Sequence, residues 1–162
     1  MNKNGFSLAE VLIAIVLVGL AVASLVAANS VFTQNNSVAL ETSTAEYLLE
    51  QMRELTMLLP VLDPNTKEFF ISKEETFSAY DNVGDFDDSI FNPPISADRE
   101  SLAAFSSFSQ KVTVQKVSAS NFEQPVSDTD SSPFIRIEVD IYHRGNVLLS
   151  SSWIRAQYYT NK

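Results

Sequence analysis

Two hydrophobic patterns follow one another in the first sixty residues, and both predict helix. From Val11 to Ala28 the chain is uncharged and almost wholly apolar. About eighteen helical residues at 1.5 Å each cover roughly 27 Å, close to the thickness of a hydrocarbon core. From Ser30 to Leu59 the chain has no glycine or proline, and apolar residues recur at spacings of three and four. Since Pro60 then stops the pattern, the sequence predicts one helix from about Phe6 to Leu59.

A different period governs the C-terminal part of the chain. Apolar and polar residues alternate from Phe134 to Tyr142, which is typical of a strand with one buried face. Arg144–Asn146 has the composition of a tight turn, and Val147–Tyr159 follows as the returning strand. A third strand is predicted at Lys111–Gln115. The fold class is therefore α+β, with a long N-terminal helix, half of it transmembrane, packed on an antiparallel sheet.

The segments between these elements are polar. Ser118–Ser132 is rich in serine and aspartate, which favours a loop. Pro60–Phe108 carries many Asp, Asn and Pro residues, so we expect mostly loops there, with one short helix around Ser101–Phe108.

Net charge narrows the range of partners. The chain carries a formal charge of −9 and contains no cysteine. An acidic exterior repels phosphate backbones, so nucleic acid is not expected as a direct ligand. An exported domain without cysteine must also rely on core packing in place of disulfides.

The N-terminus carries the most specific motif, Gly5-Phe6-Ser7-Leu8-Ala9-Glu10 followed by the apolar run. It resembles the processing signal of type IV pilins and of the pseudopilins of type II secretion systems. The resemblance implies that a prepilin peptidase cuts after Gly5, that Phe6 becomes the N-methylated terminus, and that Glu10 serves assembly. It also implies the pilin fold, with other pilin or pseudopilin subunits as partners.

The chemistry of Glu10 fits that role. A carboxylate left unpaired within a bilayer costs on the order of 2.5 to 3.5 kcal/mol. Cleavage creates a positive amine at Phe6, four residues away on the same helical face, and the amine of a neighbouring subunit is a second partner. Pairing in a water-poor filament gives register and specificity more reliably than net stability.

Departures from the family pattern favour a minor pilin or minor pseudopilin. The leader is short and holds one base, Lys3. Ala9 replaces a bulkier aliphatic residue, and Ala27 stands where major subunits often carry proline. The cysteine pair that closes a C-terminal loop in many major pilins is missing.

These observations predict three segments. Residues 1–5 form the leader peptide, residues 6–29 the transmembrane and assembly half of the helix, and residues 30–162 a periplasmic or extracellular domain that includes the amphipathic half. Lys3 precedes the apolar run, and the next base after it is Arg53. That asymmetry favours an N-terminus inside and the bulk of the protein outside, as in a single-pass protein of the inner membrane. The resemblance implies that the protein later joins a pilus or pseudopilus.

Two other interpretations remain open at this stage. One is a secreted globular protein whose signal peptide is removed near Ala28, because Val26-Ala27-Ala28 offers small residues after an apolar segment. Glu10 argues against it, since signal peptides begin with a basic region. The other is a static membrane-anchored binding protein.

The sequence contains no arrangement of residues that indicates an enzyme. The chain has no cysteine and a single histidine, His143, so neither a Cys/His nucleophile nor a multi-histidine metal site can form, and we expect a surface position for His143. Neither a catalytic residue nor a cofactor is predicted.

One acidic segment has the chemistry of a cation site. Asp81, Asp85, Asp87 and Asp88 place four carboxylates within eight residues, and carboxylate oxygens are ligands for calcium. The ordinary interpretation of such a segment is a solvated turn, and a calcium-ordered loop is the second hypothesis. Local sequence offers no compensating base between Lys73 and Arg99, which favours a neutralising cation.

Overall fold

The computed structural model describes residues 5–67, 74, 76–127, 130 and 132–157. Its elements are one helix, α1 (Leu8–Leu58), and four strands, β1 (Ser89–Phe91), β2 (Phe108–Val117), β3 (Phe134–His143) and β4 (Asn146–Ala156). Single 3₁₀ turns occur at Phe77–Ala79, Gly84–Phe86 and Ala103–Phe105. The chain divides into two compact units, Met1–Glu41 and Thr42–Lys162, and each is described by itself.

The first unit contains the N-terminal part of α1. All of its described residues up to Leu40 are exposed. Two hydroxyl groups in this stretch bond to helix carbonyls: Ser24 Oγ donates to Leu20 O at 2.8 Å and Thr33 Oγ1 donates to Asn29 O at 3.0 Å. The helix holds an 18-residue window of mean hydropathy 2.9. By length and composition it is able to cross a membrane.

The second unit starts with the amphipathic part of α1. Its apolar stripe turns inward every three or four residues, and the buried side chains are Ala45, Leu48, Leu49, Met52 and Leu55. The helix ends before Pro60, where Arg155 donates hydrogen bonds to Thr56 O and, at 2.7 Å, to Leu59 O. These carbonyls have no partner within the helix, so the guanidinium satisfies them. Burial lowers the pKa of Arg155 from its ordinary value.

The sheet is antiparallel, with the strands in the order β1-β2-β3-β4. Arg144 and Gly145 connect β3 to β4 with φ angles of 51° and 83°. Positive φ at both central residues is the geometry of a type I′ turn, whose twist matches that of the strands it joins. Buried and exposed residues alternate along β2 and β3, so one face of each strand contributes to the core that includes α1. On that face Val114 lies opposite Ile137.

The core lies between this face and α1. Its largest fully buried side chains include Phe86, Leu48, Met52, Ile135, Ile137 and Ile141. Polar side chains are also fully buried, among them Gln110 of β2. Its amide donates to Leu48 O at 2.9 Å and to Ile95 O at 3.2 Å, and it accepts from Ile95 N at 2.8 Å. Gln110 thus ties the helix, the sheet and the segment after β1 together.

The α+β fold predicted from the sequence, a long N-terminal helix on an antiparallel sheet, is confirmed. The predicted short helix at Ser101–Phe108 is wrong, because only one 3₁₀ turn forms there and Phe108 already belongs to β2. His143 is half-buried and stacks on Phe108 at 4.4 Å between ring centroids, so one face of its ring is covered at the predicted surface position. The end of the predicted last strand, Tyr158–Tyr159, lies outside the described residues.

Candidate processing and assembly site

The start of α1 is closed by a reciprocal pair of side chains. Ser7 precedes the helix, and its backbone N–H and its hydroxyl donate to Glu10 Oε2 at 2.8 Å and 2.9 Å. In return the Glu10 N–H donates to Ser7 Oγ at 3.3 Å. The spacing Ser-x-x-Glu is that of a capping box, which satisfies donors that the first helical turn leaves unpaired.

This box supplies Glu10 with partners of its own. Its carboxylate is held by Ser7, and the described ion pairs do not include Glu10. Sequence reasoning singled out Glu10 and missed Ser7. The spacing of serine and glutamate at the start of an apolar helix was the available signal.

Gly5 and Phe6 lie just outside the helix. Both are exposed, Phe6 by 88%, and neither belongs to an element of secondary structure. A Cβ built on Gly5 would meet nothing within 4 Å. The three predicted processing and assembly residues, Gly5, Phe6 and Glu10, therefore lie together in one accessible segment at the N-terminus of α1.

The acidic segment belongs to the second unit and is more ordered than a solvated turn. Asp85 is 1% exposed. Its Oδ2 accepts from the backbone N–H groups of Asp81 and Asn82, both at 3.0 Å, and from the Asn82 side-chain amide at 2.8 Å. Asn82 Oδ1 in turn accepts from the Gly84 N–H at 2.7 Å. Asp85 thus holds the loop closed from inside.

The four aspartates of this segment separate into two pairs. Asp81 and Asp85 face Glu74, and one carboxylate oxygen from each of the three lies within 4.8 Å of the others. Asp87 and Asp88 instead face β2: Asp87 Oδ1 accepts from the Val114 N–H at 2.8 Å.

Asp88 forms an ion pair with Lys111 Nζ at 3.3 Å. The base that local sequence lacks is therefore supplied by a strand distant in the chain. Glu74 joins the acidic group, although sequence reasoning did not single it out.

Glu74 shows the electrostatic consequence of that grouping. Its Oε2 atom is buried and has no hydrogen-bond partner among the described residues. The interaction with the neighbouring Asp85 carboxyl group, together with desolvation, raises the pKa of Glu74 to about 7. Carboxylates this close repel one another unless a proton or a cation lies between them. Glu74, Asp81 and Asp85 are the residues that could hold a hard divalent cation.

Comparison with known proteins locates one recognised feature in the chain. The prokaryotic N-terminal methylation motif matches residues 1–26, which include Gly5, Phe6, Ser7 and Glu10. This motif is the type IV pilin-like prepilin signature, as the sequence predicted. Comparisons with curated proteins and with solved structures give no match.

Proposed function

We propose that this chain, a type IV pilin-like protein by its prepilin signature, is a minor subunit of a type IV pilus or of a type II secretion pseudopilus. It waits in the inner membrane with its C-terminal domain outside the cytoplasm. Prepilin peptidase cuts it between Gly5 and Phe6, and the first half of α1 then packs among other pilin-like subunits. Its role is structural, with no catalytic residue.

The observation that carries this proposal is the exposure of apolar side chains along the N-terminal part of α1. Every described residue from Gly5 to Leu40 is exposed, and large apolar side chains such as Leu17, Val18 and Leu20 are each more than 60% exposed. Burying one such side chain is worth about 1.5 to 3 kcal/mol. A stretch that leaves so many of them uncovered needs a surrounding of lipid or of other helices. A methylation motif at its start favours both in succession.

Accessibility supports the proposed cut. A peptidase needs an extended, reachable backbone, and Gly5 and Phe6 are exposed and lie outside α1. The absence of a side chain at Gly5 leaves the approach to the bond open.

The capping box supports a two-stage role for Glu10. Before assembly Ser7 satisfies the Glu10 carboxylate, which lowers the cost of holding an acid at the membrane boundary. After the cut, the new amine at Phe6 lies next to Ser7. A carboxylate that already accepts two hydrogen bonds at this point is poised to accept a charged donor, from its own chain or a neighbour.

The minor position is supported by composition. The chain has no cysteine to close a C-terminal loop, Ala27 replaces the proline frequent in major pilins, and Ala9 replaces a bulkier aliphatic residue. The orientation is supported by Lys3 before the apolar run, with Arg53 as the next base.

Two variants at one position test the processing step. Gly5→Leu places a branched side chain at the bond, and we expect an uncut precursor that stays in the membrane. Gly5→Ala keeps the residue small, and we expect the cut to remain. Immunoblotting of membranes and of sheared filaments from the producing cells follows both. Processing that tolerates Gly5→Leu would contradict the assignment of the cut.

A matched pair of glutamates tests the assembly step. Glu10→Ala removes the carboxylate of the capping box, and we expect at least a tenfold drop in the subunit recovered with filaments. Glu54→Ala changes an exposed glutamate on the same helix and should leave recovery unchanged. The melting temperature of the second unit should not change in either variant. Normal recovery of the Glu10→Ala chain would show that assembly does not need the Glu10 carboxylate.

A further inference from the structure

Among the described residues, strand β4 is an open edge of the sheet. It is the last strand in the order β1-β2-β3-β4, and within the described residues it pairs with β3 alone. An edge strand presents a row of backbone N–H and C=O groups to any chain that can pair with them. Proteins usually blunt such edges with charges, prolines or short strands. From Asn146 to Ile154 β4 has no charge, proline or glycine, and it runs for 11 residues.

The other edge of the same sheet is managed differently. Strand β1 has only three residues, Ser89–Phe91. The chain then leaves the sheet at once, and Ile95 pairs in an isolated bridge with Ser101. The long open edge is therefore a property of β4 in particular.

A groove runs beside this edge, between β4 and the amphipathic part of α1. Its volume is about 450 Å³, and it is lined by Glu46, Leu49, Glu50, Leu149, Ser150 and Ser151. Leu49 and Leu149 are its apolar residues, buried and half-buried, while Glu46 and Glu50 are exposed on the helix side. The groove thus offers an apolar surface, an acidic wall on α1 and a hydroxyl-bearing strand on β4.

Charge along the groove is negative on balance. Glu50 pairs with Arg53 at 3.6 Å, and the Arg53 guanidinium lies 5.7 Å from the Trp153 ring centroid. The ion pairs of the described residues do not include Glu46. One pleat beyond Ser151, the buried Nε1 of Trp153 has no acceptor among the described residues. An unpaired buried donor costs about 1–3 kcal/mol. A bound segment that offers an acceptor to Trp153 Nε1 would remove this cost.

We propose that β4 and this groove bind an extended basic segment of a different subunit, which adds to the sheet as a fifth strand. Main-chain hydrogen bonds to β4 would give the affinity, and lysine or arginine side chains on alternate residues would face Glu46 and Glu50. This inference rests on the proposed function for the identity of the partner, a subunit of the same filament.

Charge also decides against a second copy of this chain. A copy would bring its own pair of groove glutamates to the interface, and the whole chain carries −9. Like charges that face each other across an interface are unfavourable. A basic segment of another subunit removes that repulsion.

Site-specific photo-crosslinking in cells that make the filament tests the proposal on the full-length chain. A benzoylphenylalanine replaces Ser150 of the groove in one strain. In the control strain it replaces Ile90, which is 66% exposed on the opposite edge strand. We expect a crosslink from position 150 to a different filament subunit, mapped by mass spectrometry to an extended segment that contains lysine or arginine. Position 90 should give at least tenfold less of that product.

Reversal of charge provides the second measurement. Glu46→Lys with Glu50→Lys in the strain labelled at position 150 should reduce the crosslink at least tenfold. Asp98→Lys with Glu100→Lys makes the same change of charge at exposed positions elsewhere and should leave it unchanged. Equal melting temperatures of the purified full-length chains show that folding is retained.

The outcomes separate the two proposals. A chain that is processed and recovered in filaments, yet gives no crosslink from position 150, overturns the groove proposal and leaves the proposed function standing. A crosslink to a second copy of this chain, or one that survives the double lysine change, overturns the groove proposal as well. A chain that never reaches a filament overturns both.

Discussion

Leu17 and Leu48 lie on the same helix, yet Leu17 is 61% exposed and Leu48 is fully buried. The difference comes from what each part of α1 has to pack against. Leu48 contacts a core built from β2, β3 and the segments around Phe86. The described residues of the first unit have no such core, since all of them up to Leu40 are exposed. One helix thus carries a surface for folding and a surface for association, and the two should respond differently to the same substitution.

The largest expected effect follows directly from this pair of leucines. Leu48→Ala should lower the free energy of unfolding of the second unit by about 2–5 kcal/mol, because it leaves a cavity in a packed core. Leu17→Ala should change it by less than about 0.5 kcal/mol. Denaturation of the full-length chain in detergent, followed by the fluorescence of Trp153, the only tryptophan, measures both. Equal losses would contradict this division of α1 into two surfaces.

A smaller effect concerns calcium, which stays a prediction of the acidic segment. If Glu74, Asp81 and Asp85 hold the ion with a dissociation constant near 1 mM, typical of extracellular modules, 10 mM calcium should stabilise the second unit by about 1.4 kcal/mol. Glu74→Gln with Asp81→Asn should abolish the resulting rise in melting temperature. Asp87→Asn with Asp88→Asn should retain it, since those carboxylates face β2.

Calorimetry with and without calcium compares these variants on the full-length chain. A melting temperature that does not respond to calcium up to about 10 mM would leave the segment as an acidic surface loop. A response in the Leu17→Ala chain equal to that of the unaltered chain would place the effect in the second unit alone.

The smallest effect is a pH dependence of the same unit. The folded-state pKa of Glu74, about 7, lies above its ordinary value of 4.5. The proton that it binds therefore stabilises the fold fully below about pH 4.5, and this contribution is lost as pH rises through 7. We expect a loss on the order of 1 kcal/mol, because partial exposure screens the interaction.

Melting curves without calcium between pH 4 and pH 8 measure this loss. Glu74→Gln keeps a neutral side chain at every pH and should flatten the curve. Since a proton and a cation compete for the same carboxylates, calcium should stabilise more at pH 8 than at pH 5. An equal calcium effect at both pH values would show that Glu74 is not a ligand of the cation.

Local periodicity explains which parts of the fold were predictable. The helix and the β3–β4 hairpin are predictable because their apolar residues recur with periods of 3.6 and 2 along consecutive residues. Strand β1 was missed, since Ser89–Phe91 is three residues long and owes its conformation to pairing with β2. Asp87 and Asp88 contact Val114 and Lys111 of β2. Charge spacing along the chain groups them instead with Asp81 and Asp85. Glu74 joined that group through tertiary structure, which no local pattern records.

Mass spectrometry of the mature chain's N-terminus, after extraction from membranes and filaments, tests the central claim most directly. The account predicts a chain that begins at Phe6 and carries a methyl group on its amine. A chain that begins at Asn29 would contradict it in favour of a secreted protein. A chain that keeps Met1 through Gly5 would contradict it in favour of a static membrane anchor.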